Sequence, residues 1–225
     1  MRVLQDWAEV GDATLNMRKN HLPCHGMAYK NWDIWNIYNL VKNMNRNIRI
    51  LDFGCAGCFV LKLLNHLGFQ NIYGIDLYES IQTFIFDELM SILKYPNVKV
   101  IRGNGLKSGF HDGFFDLVIS LSVIEHNVNI EYFFKEMYRV LKPDGVLYLS
   151  TDYWGEKIVS EDKNKVFSKI EIKDMLDFAE STGFQVNKNI PKCKDKVVFA
   201  NDKRYTFLSM VFKKLKGCKL SLIHI

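Results

Sequence analysis

Two glycines and one aspartate are the residues of this sequence whose types and spacing best suit chemistry on a bound ligand. Gly54 and Gly57 follow the apolar run 49–53, and Asp76 ends a second apolar run, 72–76. Glycine lets the backbone turn sharply and removes the side chain that would hold a ligand away from main-chain N–H groups. A carboxylate after the next strand can accept hydrogen bonds from both hydroxyls of a ribose. The spacing therefore predicts a nucleotide site on one strand, turn, helix and strand unit.

The elements that must position these residues alternate along the chain between strands and helices. Apolar runs bounded by turn residues predict strands, and apolar residues at intervals of three and four predict helices. The predicted strands are 49–53, 72–76, 98–102, 115–120 and 146–150, and the predicted helices are 59–64, 80–93, 130–141 and one from about residue 170. This alternation indicates a mostly parallel sheet that helices cover on both faces.

Small or polar residues stand at the end of every predicted strand. They are Gly54, Asp76, Asn104, Ser120 and Thr151. In open sheets of this class, ligands bind beyond the carboxyl ends of the strands, near the point where the strand order reverses. Because separate segments all follow this rule, we expect the five residues to share one edge of the sheet and to enclose one ligand.

The composition is that of an ordinary globular domain. The chain has 225 residues, of which 48% are hydrophobic and 24% are charged, so one domain can bury a sizeable core. No apolar segment approaches the roughly 18 uncharged residues that span a bilayer, and the first residues lack a signal-peptide pattern. Five cysteines, an odd number, favour free thiols in a reducing compartment. We therefore expect a cytoplasmic protein.

The net charge of +5 is placed unevenly, with a basic stretch near the carboxyl end. The basic residues of this stretch are Lys188, Lys192, Lys194, Lys196, Lys203, Arg204, Lys213, Lys214, Lys216 and Lys219, and only Asp195 and Asp202 oppose them there. Such a stretch either attracts a phosphorylated or nucleic-acid substrate such as RNA, or is a solvated surface. We favour the solvated surface.

Residues 1–47 carry aromatic residues amid polar ones, and the spacing from Trp32 to Val41 predicts a helix against the core. The segment 21–26 before it contains proline and glycine and is predicted to be a loop. This loop holds His21, Cys24 and His25. No second ligand pair at a zinc spacing follows, so we predict no metal site.

In these features the sequence resembles the class I S-adenosylmethionine-dependent methyltransferases, over roughly residues 48–190. The matching segments are 51–57, 74–76, 115–119, 124–126 and 139–145, and the last of them is similar to the family phrase Arg-Val-Leu-Lys-Pro-Gly-Gly with Asp144 in place of the first glycine. The resemblance implies an α/β, Rossmann-like, doubly wound sheet of seven mostly parallel strands, with helices on both faces and an antiparallel last strand near 205–212. It divides the chain into an N-terminal helical cap (1–47), a methyltransferase domain (48–215) and a tail of uncertain status (216–225).

The resemblance also implies S-adenosyl-L-methionine as the cofactor. Gly54 to Gly57 would lie against its methionine portion, Asp76 would hold the ribose hydroxyls, and Leu77 and Asn104 would contact the adenine. The full set of predicted cofactor residues is Asp52, Gly54, Cys55, Ala56, Gly57, Asp76, Leu77, Asn104, Gly105, Ser120 and Leu121. The sequence departs from the family at Ala56, where glycine is usual, and at Cys58, where glycine or serine is frequent.

Methyl transfer asks the protein to align the acceptor, exclude water and take up a proton where the acceptor has one. His126 is the predicted base for a hydroxyl acceptor, with Glu125 as its neighbour or as a contact on the cofactor side; packing or capping is the other role for this histidine. Segments that mark methylation of base amino groups or of cytosine carbon do not follow residue 120. A small-molecule acceptor with an oxygen is therefore predicted. Four aromatic residues either shape its pocket or belong to the core: Tyr29, Trp32, Tyr153 and Trp154.

Three other readings of the glycine segment remain. Cys55 and Cys58 form a Cys-x-x-Cys at a helix start, as in thiol redox proteins, but that function leaves Asp76 unexplained. A nicotinamide dehydrogenase needs the three glycines of G-x-G-x-x-G, which this loop lacks. A binding module would keep the fold and the nucleotide site without catalysis.

Overall fold

A computed structural model describes residues 1–77, 95–159, 163–200 and 203–217. The helices are α1 (Trp7–Lys19), α2 (Lys30–Val41), α3 (Phe59–His66), α4 (Ile130–Val140) and α5 (Lys169–Thr182). The strands are β1 (Arg2–Val3), β2 (Arg49–Phe53), β3 (Asn71–Asp76), β4 (Val98–Arg102), β5 (Phe115–Leu121), β6 (Leu141–Tyr153), β7 (Phe184–Gln185), β8 (Val198–Ala200) and β9 (Lys203–Lys214). Short 3₁₀ helices span Ala56–Cys58 and Gly105–Lys107.

The described strands form one sheet whose main order is β1-β9-β6-β5-β2-β3-β4. Strands β4, β3, β2, β5 and β6 are parallel to their neighbours, whereas β9 runs antiparallel to β6. Strands β1, β7 and β8 each pair with β9 in the antiparallel sense. The chain leaves β4 at one edge and returns as β5 beside β2, which creates the reversal of strand order where ligands bind in such sheets. The predicted fold class is confirmed.

Both faces of the sheet are covered, because successive residues of the buried strands point to opposite sides. On β5, Val118 packs into a cluster with side chains of α4 and α5, and Ile119 packs into a second cluster with side chains of α2 and α3. Phe134, Phe184 and Phe212 fill the α4–α5 face with edge-on ring contacts. The sheet therefore has a core on each side, and its loops meet at the ends of the strands.

Most predicted bounds agree with the structure to within a few residues. The predicted helix 80–93 lies outside the described residues, as do residues 218–225 of the predicted tail. Helix α1 and strands β1 and β8 were not predicted. In α1 the buried residues Val10, Ala13 and Met17 stand among polar side chains and Gly11, so its apolar stripe is narrow and does not stand out in the sequence. The division of the chain at 47/48 stays a prediction, and β1 pairs directly with β9 of the predicted methyltransferase domain.

Among the described residues, each helix is too short or too polar to traverse a lipid bilayer.

Candidate active site

The glycine loop joins β2 to α3 in a conformation that its sequence dictates. Gly54 has φ +76° and Gly57 has φ +70°, both in the left-handed region that favours glycine. The Gly54 N–H donates to the Ile75 carbonyl at 2.8 Å, which fixes the start of the loop to the end of β3. A Cβ on Gly54 would lie 2.4 Å from Cγ2 of Val123, so a side chain at this position has no room. The loop is thereby held between β3 and the segment that follows β5.

The same loop fits the close approach of a ligand. A Cβ on Gly57 would have no neighbour within 4 Å among the described residues, so the backbone there faces open space. Cys55 instead turns its side chain into the core, where Sγ lies 2.8 Å from the Cβ position of Gly74. A ligand at this loop would therefore contact the backbone of Cys55 and not its thiol.

Burial argues against redox chemistry at the Cys-x-x-Cys pair. Cys55 and Cys58 are both buried, and a hydrogen bond between the two side chains, together with burial, raises the pKa of the Cys55 thiol far above its ordinary value. Since the thiolate is the reactive form, a thiol that stays protonated is a poor nucleophile. The pair therefore behaves as small apolar side chains of the core, and the redox interpretation loses its support.

The predicted ribose-binding residue lies at the junction of three strands. Asp76 ends β3, and its carbonyl accepts from the Gly103 N–H at 2.9 Å, which ties it to the end of β4. Asp52 lies buried nearby in β2; burial, and then the negative charge of Asp76, raise its pKa to about 8. Leu77, the predicted adenine neighbour, is 67% exposed and so is available to a ligand. The ends of β2, β3 and β4 thus form one continuous edge.

Two further predicted cofactor residues carry local structural roles. The Asn104 side chain accepts from the Leu106 N–H at 2.9 Å and caps the short helix Gly105–Lys107. A Cβ on Gly105 would lie 2.3 Å from the Phe53 ring, so glycine is required there for packing. Asn104 still lies at the end of β4, close to Asp76, but its side-chain amide oxygen already accepts a hydrogen bond from the Leu106 N–H. We call the ends of β2, β3 and β4, with Gly54, Gly57, Asp76 and Asn104, the glycine side.

The end of β5 adjoins the glycine side. Ser120 is fully buried, and its Oγ has no hydrogen-bond partner among the described residues. Because a buried hydroxyl without a partner costs free energy, this atom is a group that a bound ligand can satisfy. Half-buried Leu121 follows, the Ser122 N–H donates to the Ser150 carbonyl at 3.0 Å, and Val123 packs on Gly54.

The two residues predicted to be catalytic lie side by side in the chain but in different surroundings. Glu125 is 2% exposed, and its Oε2 accepts from the Thr151 hydroxyl at 3.1 Å. Burial, and then the charge of Asp152, raise the pKa of Glu125 to about 8. His126 is exposed, and its Nδ1 lies 2.8 Å from Oδ1 of Asn164. The predicted pairing thus becomes a buried carboxyl beside an exposed imidazole.

Apart from Glu125, sequence reasoning missed a cluster of charged and polar side chains around the end of β6. Lys30 donates to Oγ of Ser122 at 2.5 Å, and the Ser150 hydroxyl donates to Oδ1 of Asp33 at 2.7 Å. Asp33 is fully buried, and its Oδ2 has no hydrogen-bond partner among the described residues. We call the cluster, with its members Lys30, Asp33, Glu125, Asp152 and Tyr205, the acidic side.

One signal in the sequence could have found part of this cluster. Asp152 is the last residue but one of the apolar strand β6 and directly follows Thr151, so the strand-end rule applies to it equally. No local sequence signal identifies the other members Lys30, Asp33 and Tyr205. Only the packing of α2 and β9 brings them to the site.

Within the described residues, most side chains of the basic stretch near the carboxyl end are engaged in contacts with other parts of the chain. Lys188 contacts Asp177 and Glu180, Lys194 contacts Asp6, and Lys213 and Lys216 both contact Asp144. Lys203 is buried, and Lys214 donates to the carbonyls of Tyr138 and Leu141. Lys196 lies over the Trp154 ring and Arg204 over the Phe199 ring. Eight of the ten basic residues therefore have contacts within the described part of the chain, and the interpretation as a solvated surface gains support over RNA binding.

The four aromatic residues considered for the pocket divide into two groups. Trp32 and Tyr153 are 2% and 1% exposed and belong to the core. Trp154 is half-buried beneath the Lys196 ammonium. Tyr29 is half-buried next to the Phe207 ring, with centroids 5.7 Å apart, and lies on the acidic side. Only Tyr29 of the four is thus placed beside the candidate site.

Comparisons with known proteins match the glycine side and the strands around it. Residues 51–149 match the family model described as a methyltransferase domain. A ubiquinone biosynthesis O-methyltransferase of Rickettsia bellii (strain OSU 85-389) is 33% identical over 109 residues, which are 47% of this chain and 42% of the relative. The chain thus matches less than half the length of this curated relative.

Solved structures match a larger part of the chain. A SAM-dependent methyltransferase from Aquifex aeolicus has a TM-score of 0.59 at 20% identity, covering 79% of this chain and 88% of that one. A phosphoethanolamine N-methyltransferase from Haemonchus contortus, in complex with S-adenosyl-L-methionine, has a TM-score of 0.65 at 18% identity, covering 83% of this chain and 53% of that one. The fold and the family match together support the identification of residues 51–149 as a methyltransferase domain of the class I S-adenosylmethionine-dependent type.

Proposed function

We propose that the protein transfers a methyl group from S-adenosyl-L-methionine to a hydroxyl oxygen of a small molecule. The observation that carries the proposal is the position of two chemically different sites on one edge of the sheet. The glycine side offers an open backbone and a strand-end carboxylate, and the acidic side offers groups that exchange protons. Two consecutive residues connect the two sides: Ser122 accepts a hydrogen bond from Lys30, and Val123 packs on Gly54.

Residues of the glycine side would hold the cofactor. The backbone at Gly57 would lie along its methionine portion, Asp76 would accept hydrogen bonds from its ribose, and Leu77 would cover its adenine. Ser120 Oγ would gain the partner that it lacks in the protein alone. When bound, S-adenosyl-L-methionine supplies a methyl group on a positively charged sulfur, which an oxygen nucleophile can attack.

The chain's own contribution is to orient the acceptor, exclude water and move a proton. Glu125 forms a buried wall of the acceptor site. His126 lies at its exposed end; because the Asn164 amide oxygen only accepts, the imidazole hydrogen sits on Nδ1 and Nε2 can take a proton. We assign to His126 the uptake of the acceptor's proton or its passage to solvent.

An oxygen acceptor is favoured over the alternatives by separate observations. The Rickettsia relative is named an O-methyltransferase, whereas the phosphoethanolamine N-methyltransferase shares only the fold at 18% identity. An RNA acceptor is the second candidate, because the chain carries a basic carboxyl-terminal stretch, but the internal pairing of that stretch weakens it. A nucleotide-binding module without catalysis is the third.

Calorimetry tests the cofactor half of the proposal. Wild-type protein is expected to bind S-adenosylmethionine and S-adenosylhomocysteine and not NAD. Replacing Asp76 by alanine should lower the affinity for both by at least about tenfold, since each charge-assisted hydrogen bond to the ribose contributes about 1.5–3 kcal/mol. The matched control is Asp174→Ala, which removes an exposed aspartate of α5. Binding of NAD, or unchanged affinity in Asp76→Ala, would refute the assignment.

Turnover tests the acceptor half. Release of S-adenosylhomocysteine is measured with phenols, aliphatic alcohols, primary and secondary amines, and total RNA at low and high salt. Methylation of a hydroxyl compound alone supports the proposal. Methylation of RNA that weakens with salt favours the second candidate, and binding of the cofactor without turnover on any class favours the binding module.

A further inference from the structure

Asp152 is a buried carboxyl group near the end of β6 to which the function proposed above gives no separate role. It is 7% exposed, and its side chain hydrogen-bonds with the Tyr205 hydroxyl across the antiparallel pair β6–β9. Phe207 lies directly opposite Asp152 in the register of that pair, so both side chains point to the face that α2 covers. Asp152 therefore stands under the amino-terminal end of α2, beside the loop that follows β5.

Lys30 brings a positive charge to the same place. Its Nζ donates to Ser122 Oγ at 2.5 Å and lies 4.3 Å from the centroid of the Phe207 ring. The positive charge of Lys30 opposes the rise in the pKa of Asp152, Asp33 and Glu125, so it acts on all three carboxyl groups. Tyr29, next to Lys30 in the chain, adds a ring to this wall.

The charges around Asp152 set its protonation near neutral pH. Burial raises the pKa of Asp152 to about 6, against the lowering effects of Lys30 and the Tyr205 hydrogen bond. The other titratable groups that act on this site are Glu125, Asp33, Tyr29, His126 and Lys203. At pH 7 Asp152 is therefore mostly a carboxylate, and it is a stronger base than an exposed aspartate.

We propose that Asp152 receives the proton of the acceptor's hydroxyl and that Lys30 stabilises the oxygen anion, for an acceptor whose hydroxyl is acidic, such as a phenol or an enol. The proposal rests on the methyl transfer proposed above. The O–H bond breaks, and its proton goes to the Asp152 carboxylate. The electron pair left on the oxygen forms the new bond to the methyl carbon, while the carbon–sulfur pair returns to sulfur and leaves a neutral thioether. The proton then leaves Asp152 for water through exposed His126.

The acidity of the hydroxyl follows from the groups that are present. A carboxylate can deprotonate a phenol, whose ordinary pKa is about 10, as for tyrosine, when a neighbouring ammonium stabilises the anion. An aliphatic alkoxide is far more basic, and one lysine does not compensate for the difference. The half-buried ring of Tyr29, which packs on the buried Phe207 ring, lines the same wall and suits a flat aromatic acceptor.

Two acceptors that differ in acidity test the assignment, catechol and 4-nitrocatechol, because the nitro group ionises one hydroxyl near neutral pH without help. In Asp152→Asn, kcat with catechol at pH 7 should fall by about 100-fold, while kcat with 4-nitrocatechol should fall by less than about threefold. The acidic limb of the catechol pH profile should disappear. Lys30→Met should also lower kcat with catechol more than with 4-nitrocatechol, because deprotonation of the less acidic hydroxyl depends on the ammonium that stabilises its anion.

Controls separate this proposal from the function on which it rests. Asp174→Asn should leave both activities unchanged, and Asp152→Asn should keep wild-type affinity for S-adenosylhomocysteine and an intact unfolding transition. His126→Gln should slow turnover of catechol by less than Asp152→Asn does, because it removes only the exit of the proton. Equal losses with both acceptors in Asp152→Asn, or a change of ratio in His126→Gln alone, would overturn the role of Asp152. Failure of wild type to methylate any phenol or catechol while it binds the cofactor would overturn the acceptor class, whereas failure to bind S-adenosylhomocysteine would overturn the proposed function itself.

Discussion

The glycine side and the acidic side of this protein share one edge of the sheet, but the sequence builds them in opposite ways. The glycine side comes from residues 54–104, on neighbouring parallel strands, and most of it lies within one strand, turn and helix unit. The acidic side combines residues as distant as Lys30 and Tyr205, and it forms only when α2 and antiparallel β9 pack beside β6.

This difference explains which part of the site the family model covers. The family model matches residues 51–149, which contain the whole glycine side. Lys30, Asp33, Asp152 and Tyr205 all lie outside that range. Of the acidic side, only Glu125 lies inside the range. The match therefore covers the part of the site that depends on local sequence, whereas most of the part that depends on tertiary packing lies outside it. Acceptor choice is therefore expected to reside in the second part.

The largest effect is expected from breaking the glycine side at Gly54. In Gly54→Ala the new methyl group would meet Val123 at 2.4 Å, at a φ of +76° that disfavours alanine. Overpacking and the left-handed backbone together should lower the free energy of unfolding by about 2–4 kcal/mol. Urea unfolding measures the loss, and calorimetry should show that affinity for S-adenosylhomocysteine falls with it.

Gly109→Ala is the matched control for this change. Gly109 has a similar φ of +74°, but its Cβ position has no neighbour within 4 Å among the described residues. Gly109→Ala should lower the free energy of unfolding only by the cost of placing alanine in a left-handed backbone, about 1–2 kcal/mol, and should leave the affinity for S-adenosylhomocysteine unchanged. Equal destabilisation by the two variants would show that contact with Val123 does not hold the two sides together.

The same contrast decides how much of the molecule could be predicted from the sequence. Gly54, Asp76 and the strand ends were predicted because a turn, a strand end and a spacing are local properties of the chain. Asp33 was not, because it stands among apolar residues of α2 as a surface residue would, and only its contact with Ser150 shows why it is buried. Cys55 was assigned to the cofactor for its place in the loop, but its thiol points into the core.

A pH-dependent effect of intermediate size should distinguish the buried carboxyl groups of the two sides. Asp52, beside Asp76, has its pKa raised by burial to about 8, and burial raises that of Asp33 on the acidic side to about 6. In each case the folded protein keeps a proton that the unfolded chain releases, so stability declines as pH rises from the ordinary carboxyl pKa of about 4 to the raised value.

Asparagine at either position removes this decline. Asp52→Asn should therefore gain stability over wild type up to about pH 8, whereas the smaller gain of Asp33→Asn should stop near pH 6. Urea unfolding of wild type and both variants at pH 5, 7 and 9 gives the differences. A gain for Asp52→Asn that is complete by pH 6 would mean that Asp76 and burial affect Asp52 less than the geometry indicates.

The smallest effect is expected at Ser122, the residue through which the two sides meet. It accepts the Lys30 hydrogen bond at 2.5 Å and has a φ of +52°, which glycine tolerates better than serine or alanine. Ser122→Ala should cost about 1 kcal/mol, since it removes the bond and keeps the backbone strain. Ser122→Gly should lower the free energy of unfolding by less, because it removes the hydrogen bond but also relieves the backbone strain. The difference between the two variants in urea unfolding therefore measures the strain at this position.

Neither variant should change affinity for S-adenosylhomocysteine, because Ser122 contacts the acidic side while its neighbour Val123 contacts Gly54. A lower affinity in Ser122→Ala would show that the position of Lys30 influences the glycine side, and that the two sides act as one unit.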